Sequence, residues 1–148
     1  MIRPARPDDR AGVEAVVRVA YAKYVERIGK PPGPMLDDYQ ALIQSGAVTL
    51  IEQADGGIAA IIVLLPRTDH LLLDNIAVRP DRQGQGYGRR LFDLAEQQAR
   101  AGGVTEIRLY THALMTENIA LYTRWGFEET GRGIEAGYDR VFMRRQLT

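Results

Sequence analysis

Apolar and polar positions along the chain change period several times, and each change marks a new element. Ile2-Arg3-Pro4 reads as a short opening strand, after which Asp8 and Asp9 offer N-cap oxygens to a helix. In that helix Val13, Val16, Val17, Ala20, Tyr21, Tyr24 and Ile28 recur at helical spacing, which buries one face, and Gly29 stops it. Lys30-Pro31-Pro32-Gly33-Pro34 cannot be helical, because its three prolines and one glycine interrupt any ladder. A second short helix is expected from Met35 to about Ser45. Beyond Gly46 the pattern turns to strands. Val48–Glu52 is β-rich, Asp55-Gly56-Gly57 is a hairpin signal, and Ile58–Leu65 is a continuous apolar run suited to a central, doubly buried strand. Leu71–Val78 is a second such run, interrupted by Asp74 and Asn75. A helix over Arg89–Arg100, a strand over Thr105–Tyr110 and a short helix over Glu117–Trp125 follow. Two closing strands, Gly126–Glu129 and Tyr138–Arg144, flank an expected turn from Gly131 to Gly137. The order β, α, α, β, β, β, α, β, α, β, β predicts a mixed sheet with helices on its faces.

A length of 148 residues favours one domain, residues 1–148, and permits one real core. Acidic and basic residues balance at 19 each, which argues against a nucleic-acid partner. The basic residues are skewed, with only Lys23 and Lys30 beside seventeen arginines, and arginine is the better fork for phosphate and carboxylate. The absence of cysteine excludes disulfides and a thiol nucleophile, and with only His70 and His112 no metal site is expected. Charges and prolines occupy Met1–Arg10 where a signal peptide would be apolar, and no stretch is long enough to span a membrane. A cytoplasmic protein with no membrane partner is expected.

The chemistry concentrates between Val78 and Arg90. Gly84, Gly86 and Gly88 alternate after an apolar strand and before an amphipathic helix, with Arg79, Arg82, Arg89 and Arg90 around them. Glycine lets the backbone bend tightly and a ligand approach it. Successive N–H groups and the positive end of the following helix then suit an anion, above all phosphate. A dinucleotide fingerprint fails, because its third glycine would fall on Arg89 or Leu91. A Walker A loop fails, because no Gly-Lys-Ser or Gly-Lys-Thr occurs. What fits is Gln83-x-x-Gly86-x-Gly88.

That loop resembles the pyrophosphate loop of the GNAT superfamily of N-acetyltransferases, written Arg/Gln-x-x-Gly-x-Gly/Ala. Ile76-Ala77-Val78-Arg79-Pro80 is similar to the family's fourth strand and its exit. Asn118–Phe127 is similar to its N-x-x-A-x-x-L-Y-x-x-x-G-F region, one residue shorter between Asn118 and Ala120 and two shorter between Ala120 and Tyr122, and Ile2–Ala5 with Asp8 to its first strand. The resemblance covers essentially the whole chain. It implies an α/β (α+β) fold with a mixed, mostly antiparallel sheet of about seven strands, splayed between strands four and five, and about four flanking helices. It implies acetyl-CoA as cosubstrate, no metal, and transfer of the acetyl group to a primary amine by direct aminolysis in a ternary complex. The backbone of Gln83, Gly84, Gln85, Gly86, Tyr87, Gly88 and Arg89 would hold the pyrophosphate. Main-chain groups of Ile76, Ala77 and Val78 would pair with the pantetheine arm, Asn118 would meet that arm, and Tyr122 would stand near the sulfur. Many members dimerise, so a homodimer is possible.

Aminolysis of a thioester needs a base for the amine and an acid for the leaving thiolate. Tyr122, protonated at neutral pH, is the acid candidate, although Ile119, Tyr122 and Trp125 also have the spacing of a packed helix face. Asp74 is the base candidate. Counted by twos, and with no bulge, it shares a face with Ile76 and Val78. A water-bridged path, or His112, could serve instead, and His70 is a weaker candidate. Tyr21, Tyr24, Glu26, Arg27 and the segment to Met35, Asp37 and Asp38 would form the acceptor side. There the acceptor, a small molecule or a peptide, is left open. A non-catalytic acetyl-CoA-binding sensor or regulatory module is the alternative reading.

Overall fold

A computed structural model describes residues 1–148. Its elements are β1 (Ile2–Pro4), α1 (Arg10–Ile28), α2 (Tyr39–Gln44), β2 (Val48–Glu52), β3 (Ile58–Pro66), β4 (Leu71–Val78), α3 (Tyr87–Ala101), β5 (Glu106–His112), α4 (Thr116–Arg124), β6 (Glu128–Glu135) and β7 (Tyr138–Gln146). The strands form one sheet in the order β1-β2-β3-β4-β5-β7-β6. Every neighbouring pair is antiparallel except β4 and β5. The mixed, mostly antiparallel seven-stranded sheet with four helices agrees with the expected α/β (α+β) class.

The apolar runs explain the layering. Ala59 to Leu64 of β3 are buried on both faces, as a continuous hydrophobic run demands. One core lies under α1 and α2 and includes Val13, Val17, Tyr21, Leu50, Ile61 and Val63. The other lies under α3 and α4 and includes Ile62, Leu73, Leu91, Phe92, Ile107 and Phe127. No helix is long and apolar enough to cross a membrane.

Three local expectations give way to tertiary contacts. Asp9 does not cap α1. Its carboxylate accepts from the Arg3 guanidinium at 2.7 and 3.0 Å and from the Arg6 amide at 2.7 Å, and Arg3 also holds Glu52 at 2.7 Å. Arg3 therefore keeps the Asp9 carboxyl below its ordinary range. The helix expected from Met35 is a 3-10 turn over Gly33–Leu36 followed by α2, which Asp38 caps by accepting from Ala41 N–H at 3.1 Å. The long turn expected over Gly131–Gly137 is mostly strand. β6 runs to Glu135, and the reversal takes only Ala136 and Gly137, both at positive φ (51° and 80°), the pairing that suits a two-residue hairpin.

Phe92 joins the layers. It is fully buried, stacks on Trp125 at 4.9 Å and leans on Phe127 at 5.5 Å, so it ties α3 to the end of α4. Phe92→Ala is expected to lower the unfolding free energy by about 3–5 kcal/mol, read as a lower urea midpoint at unchanged slope.

Candidate active site

β4 and β5 pair only at Leu71↔Ile107 and Leu72↔Arg108. Beyond Leu72 the strands part, and the β5-facing edge of β4 has no strand to bond. In the β3–β4 register Val63 faces Asn75 while Leu64 faces Leu73, so Asp74 is the extra residue of a β-bulge. The bulge changes the phase that counting by twos assumed. Ile76 and Val78 pack into the core under α3, whereas Asp74 turns with Asn75 toward α1 and the proline-rich loop. Asp74 and Ile76 therefore do not share a face.

Asn75, 2% exposed, fixes this side of the gap. Its Oδ1 accepts from the Tyr21 hydroxyl at 2.6 Å, and its amide donates to the Tyr39 hydroxyl at 2.8 Å. Tyr39 in turn donates to Pro34 O at 2.5 Å. The Tyr21 hydroxyl also lies 3.1 Å from Ile76 O. The chain of bonds satisfies every buried polar group in it, as burial requires, and pins the proline-rich loop against the bulge.

A cavity of about 460 Å³ opens on the splayed edge of β4. Ile76, Ala77, Val78, Gln83, Gly84, Gly86, Tyr87, Gly88, Arg89 and Asn118 line it, while Gln85 belongs to the loop but does not face the cavity. The three glycines differ. Gly84 and Gly86 have φ of 81° and 83°, which turns the loop into the helix. At Gly88 a Cβ would lie 3.5 Å from Trp125 and 3.6 Å from Val78, ordinary contact distances, so the packing of α3 leaves room for a small side chain there. No side chain caps α3, and its first α-helical bond is Arg90 N–H to Gly86 O at 3.0 Å. The amides of Tyr87, Gly88 and Arg89 thus remain free at a positive helix end, the arrangement that receives phosphate. Arg82 and Arg89 line the cavity but hold acidic neighbours, Arg82 to Asp81 and Arg89 to Asp93. Arg124 lines it without an ion pair. The sequence reading missed Arg124, Leu121, Trp125 and Lys23 here. Asn118, Leu121 and Trp125 have the i, i+3, i+7 spacing that would have found this face of α4.

A second cavity of about 130 Å³ lies on the other side of the gap and shares Tyr21 and Asn118 with the first. Asp37, Asp74, Tyr110, His112, Tyr122, Tyr138 and Arg140 line it. Tyr122 is 4% exposed. Its ring packs on Trp125 and Phe127, and its hydroxyl has no hydrogen-bond partner in the protein. Burial raises its pKa, so the hydroxyl stays protonated. The ring has the packing of a core residue, and the same side chain lines the second cavity.

Asp37 and Asp74 line the same cavity and act on each other electrostatically. Two carboxyl groups so placed resist ionising together. Burial, followed by repulsion from Asp74, pushes Asp37 up to about 7. Burial raises Asp74 as well, against Asp37, Arg67 and Arg140. His112 fits the base role poorly. Its Nδ1 accepts from Leu114 N–H at 3.0 Å, which leaves Nε2–H outward in the neutral ring, and burial lowers its pKa. Of the other acceptor candidates, Tyr24 lines the larger cavity instead, Arg27 pairs with Glu117, and Glu26, Met35, Asp38 and His70 line neither cavity.

The chain was compared with known proteins. The model of the Acetyltransferase (GNAT) family matches residues 14–127. An IAA acetyltransferase of Azospirillum brasilense is 39% identical over 72 residues, 47% of either chain. The [Ribosomal protein bS18]-alanine N-acetyltransferase of Escherichia coli is 37% identical over 75 residues, 51% of either chain. The chain thus spans about half the length of the curated relatives it matches. In fold it is similar to the crystal structure of the Escherichia coli ribosomal-protein-S18-alanine N-acetyltransferase, with a TM-score of 0.77 at 23% identity over 100% of this chain and 94% of that one. It is also similar to the PaiA N-acetyltransferase of Thermoplasma acidophilum in complex with coenzyme A, with a TM-score of 0.78 at 20% identity over 99% and 98%.

The raised Asp37 has a consequence for stability. A carboxyl whose folded pKa exceeds its unfolded value favours folding at low pH, and that contribution is lost as pH rises from about 4 through about 7. Asp37→Asn is therefore expected to raise the thermal midpoint relative to wild type at pH 8 and to leave it nearly unchanged at pH 4, compared by calorimetry at both values.

Proposed function

The chain belongs to the acetyltransferase (GNAT) family, and we propose that residues 1–148 form one domain that moves an acetyl group from acetyl-CoA to a primary amine by direct aminolysis in a ternary complex. The observation that carries this reading is the meeting of two cavities at the β4–β5 gap, one with a phosphate cradle and the other with a carboxyl pair. The residues present fit the coenzyme: free amides at the start of α3, two left-handed glycines that bring the main chain forward, and the unpaired Arg124 beside them.

In this reading Gln83–Arg89 hold the pyrophosphate through their main-chain amides, with Arg124 adding charge. The open edge of β4 at Ile76, Ala77 and Val78 receives the pantetheine arm as a neighbouring strand would, and Asn118 meets the same arm where the cavities join. When bound, acetyl-CoA supplies an acyl carbon already activated as a thioester. Asp74, directly or through one water, takes the proton that the amine nitrogen must lose. The Tyr122 hydroxyl gives its proton to the departing sulfur. The Tyr122 hydroxyl is in its protonated form at neutral pH and has no competing partner, so it is available to the departing sulfur, and a carboxyl with a raised pKa is suited to accept near neutrality. Leu73, Met115 and the tyrosine rings keep the meeting point dry.

Acetyl-CoA at about 100 times its dissociation constant is expected to add about 2.7 kcal/mol to the stability, a midpoint rise of roughly 5 °C or more, with NAD and ATP as controls. On an accepted amine, Tyr122→Phe and Asp74→Asn are each expected to lower turnover about 10²-fold or more while keeping the acetyl-CoA shift. Unchanged turnover in both would remove the assigned roles. A shift without turnover of any amine would favour the non-catalytic acetyl-CoA-binding module.

A further inference from the structure

We propose that the acceptor is a small cationic amine, received as its ammonium by the Asp37–Asp74 pair in a cavity too closed for a polypeptide. The proposal rests on the acetyl-transfer reading and adds to it the class of acceptor.

Charge is the first argument. Asp37 and Asp74 share one small cavity, and burial with the neighbouring Asp74 disposes Asp37 to keep its proton. A bound ammonium removes the reason for keeping it, because one positive charge beside two carboxylates does the work of that proton. The cationic groups around the pair supply that charge only in part, since Asp37 and Asp74 both stay raised beside them. Arg67 faces Asp74, and Arg140 faces both carboxyls, but Arg140 has its own counter-ion in Glu135 at 3.3 Å and lies over the Tyr110 ring at 4.2 Å. Tyr21, Tyr39 and Tyr110 are neutral there, each held above its ordinary pKa, and His112 is held below its own. The second observation is independent of the carboxyls. Tyr122, 4% exposed, brings a hydroxyl with no partner to the wall of the same cavity. The hydroxyl opens to the cavity and is not sealed in the core, so it is free to meet a ligand atom there.

Size and closure are the second argument. Sites for small molecules commonly run to about 300–1,000 Å³; the coenzyme cavity is within that range, and this one, at about 130 Å³, is below it. Pro32–Pro34 line it from one segment and Tyr138 and Arg140 from another. Those two segments are strapped together. The Tyr138 hydroxyl donates to Pro31 O at 2.6 Å, the Lys30 ammonium donates to Gly137 O at 2.7 Å, and Lys30 lies 4.0 Å from the centre of the Tyr138 ring. From within, Tyr39 holds Pro34 O. A peptide N-terminus would have to lead its chain out past segments that the strap joins, while a small amine needs only a brief opening. The relative named for the alanine of a ribosomal protein has, by its name, a polypeptide acceptor; this chain would differ.

The test uses the wild-type chain with acetyl-CoA and follows thiol release. Tyramine, 1,4-diaminobutane and ethanolamine are set against a hexapeptide with a free N-terminal alanine. At least one small amine is expected to exceed the peptide about 100-fold in kcat/KM. At pH 6, calorimetry of that amine in two buffers of different ionisation enthalpy is expected to show release of close to one proton per molecule bound. Asp37→Asn should raise the amine KM at least about 10-fold with the acetyl-CoA KM unchanged, and Glu26→Gln, on an exposed site, should change neither. Lys30→Ala with Tyr138→Phe should raise peptide use. A peptide rate equal to or above that of every small amine, turnover of none of the three, or binding without proton release overturns the acceptor class while the acetyl-CoA thermal shift still stands. Loss of that shift itself would instead sink the acetyl-transfer reading.

Discussion

The two-residue limit on β4–β5 pairing is the constraint from which the site follows. A strand edge inside a sheet must find partners for its N–H and C=O groups. Over Leu71 and Leu72 the partner is β5; beyond them it is absent. Tyr21 takes up Ile76 O from one side, and the remaining edge of β4 faces a cavity. The gap stays open because each strand is tied elsewhere. β4 is bonded along its other edge to β3, β5 is bonded along its whole length to β7, and the core under α3 holds both. Closing the gap would break those ladders.

The bulge at Asp74 divides labour along one short stretch of β4. Leu73 and Ile76 go to the core under α3, while Asp74 and Asn75 go to the opposite side. One becomes half of a carboxyl pair, and the other becomes the centre of a satisfied network from α1 through α2 to the proline-rich loop. A regular strand would have sent one of the two into the apolar core. The bulge thus brings adjacent polar residues to one wall without an unpaired buried amide.

Opposed proton affinities meet across the smaller cavity. Burial makes the Tyr122 hydroxyl hold its proton more firmly, and burial with mutual repulsion makes the carboxyl pair take one near neutrality. Such a pair costs stability at the pH where it would act. Placing like charges in a small dry space is unfavourable to the fold and useful to a site that must bind a cation and move a proton.

The order of elements, the doubly buried β3, the glycine loop and the α4 motif were legible in the sequence because each is local: period, turn residues and helix caps act over a few positions. The roles proposed for Ile76–Val78, the loop and Asn118 rest on resemblance in those same local segments. The misreadings were also of one kind. Asp9 looked like a cap until Arg3 and the Arg6 amide claimed it, Gly131–Gly137 looked like a turn until β7 paired with it, and Asp74 looked in phase with Ile76 until β3 imposed a bulge. The Asp37–Asp74 pair, the Arg140 stack on Tyr110 and the strap from Lys30 and Pro31 to Gly137 and Tyr138 join residues 30 to 107 positions apart. The sequence by itself determined the elements and the anion loop, because short-range sterics and burial patterns write them directly into the chain. Only the tertiary structure decided which carboxyls meet and how the acceptor cavity closes, because those depend on register and loop contact between segments that no local pattern relates.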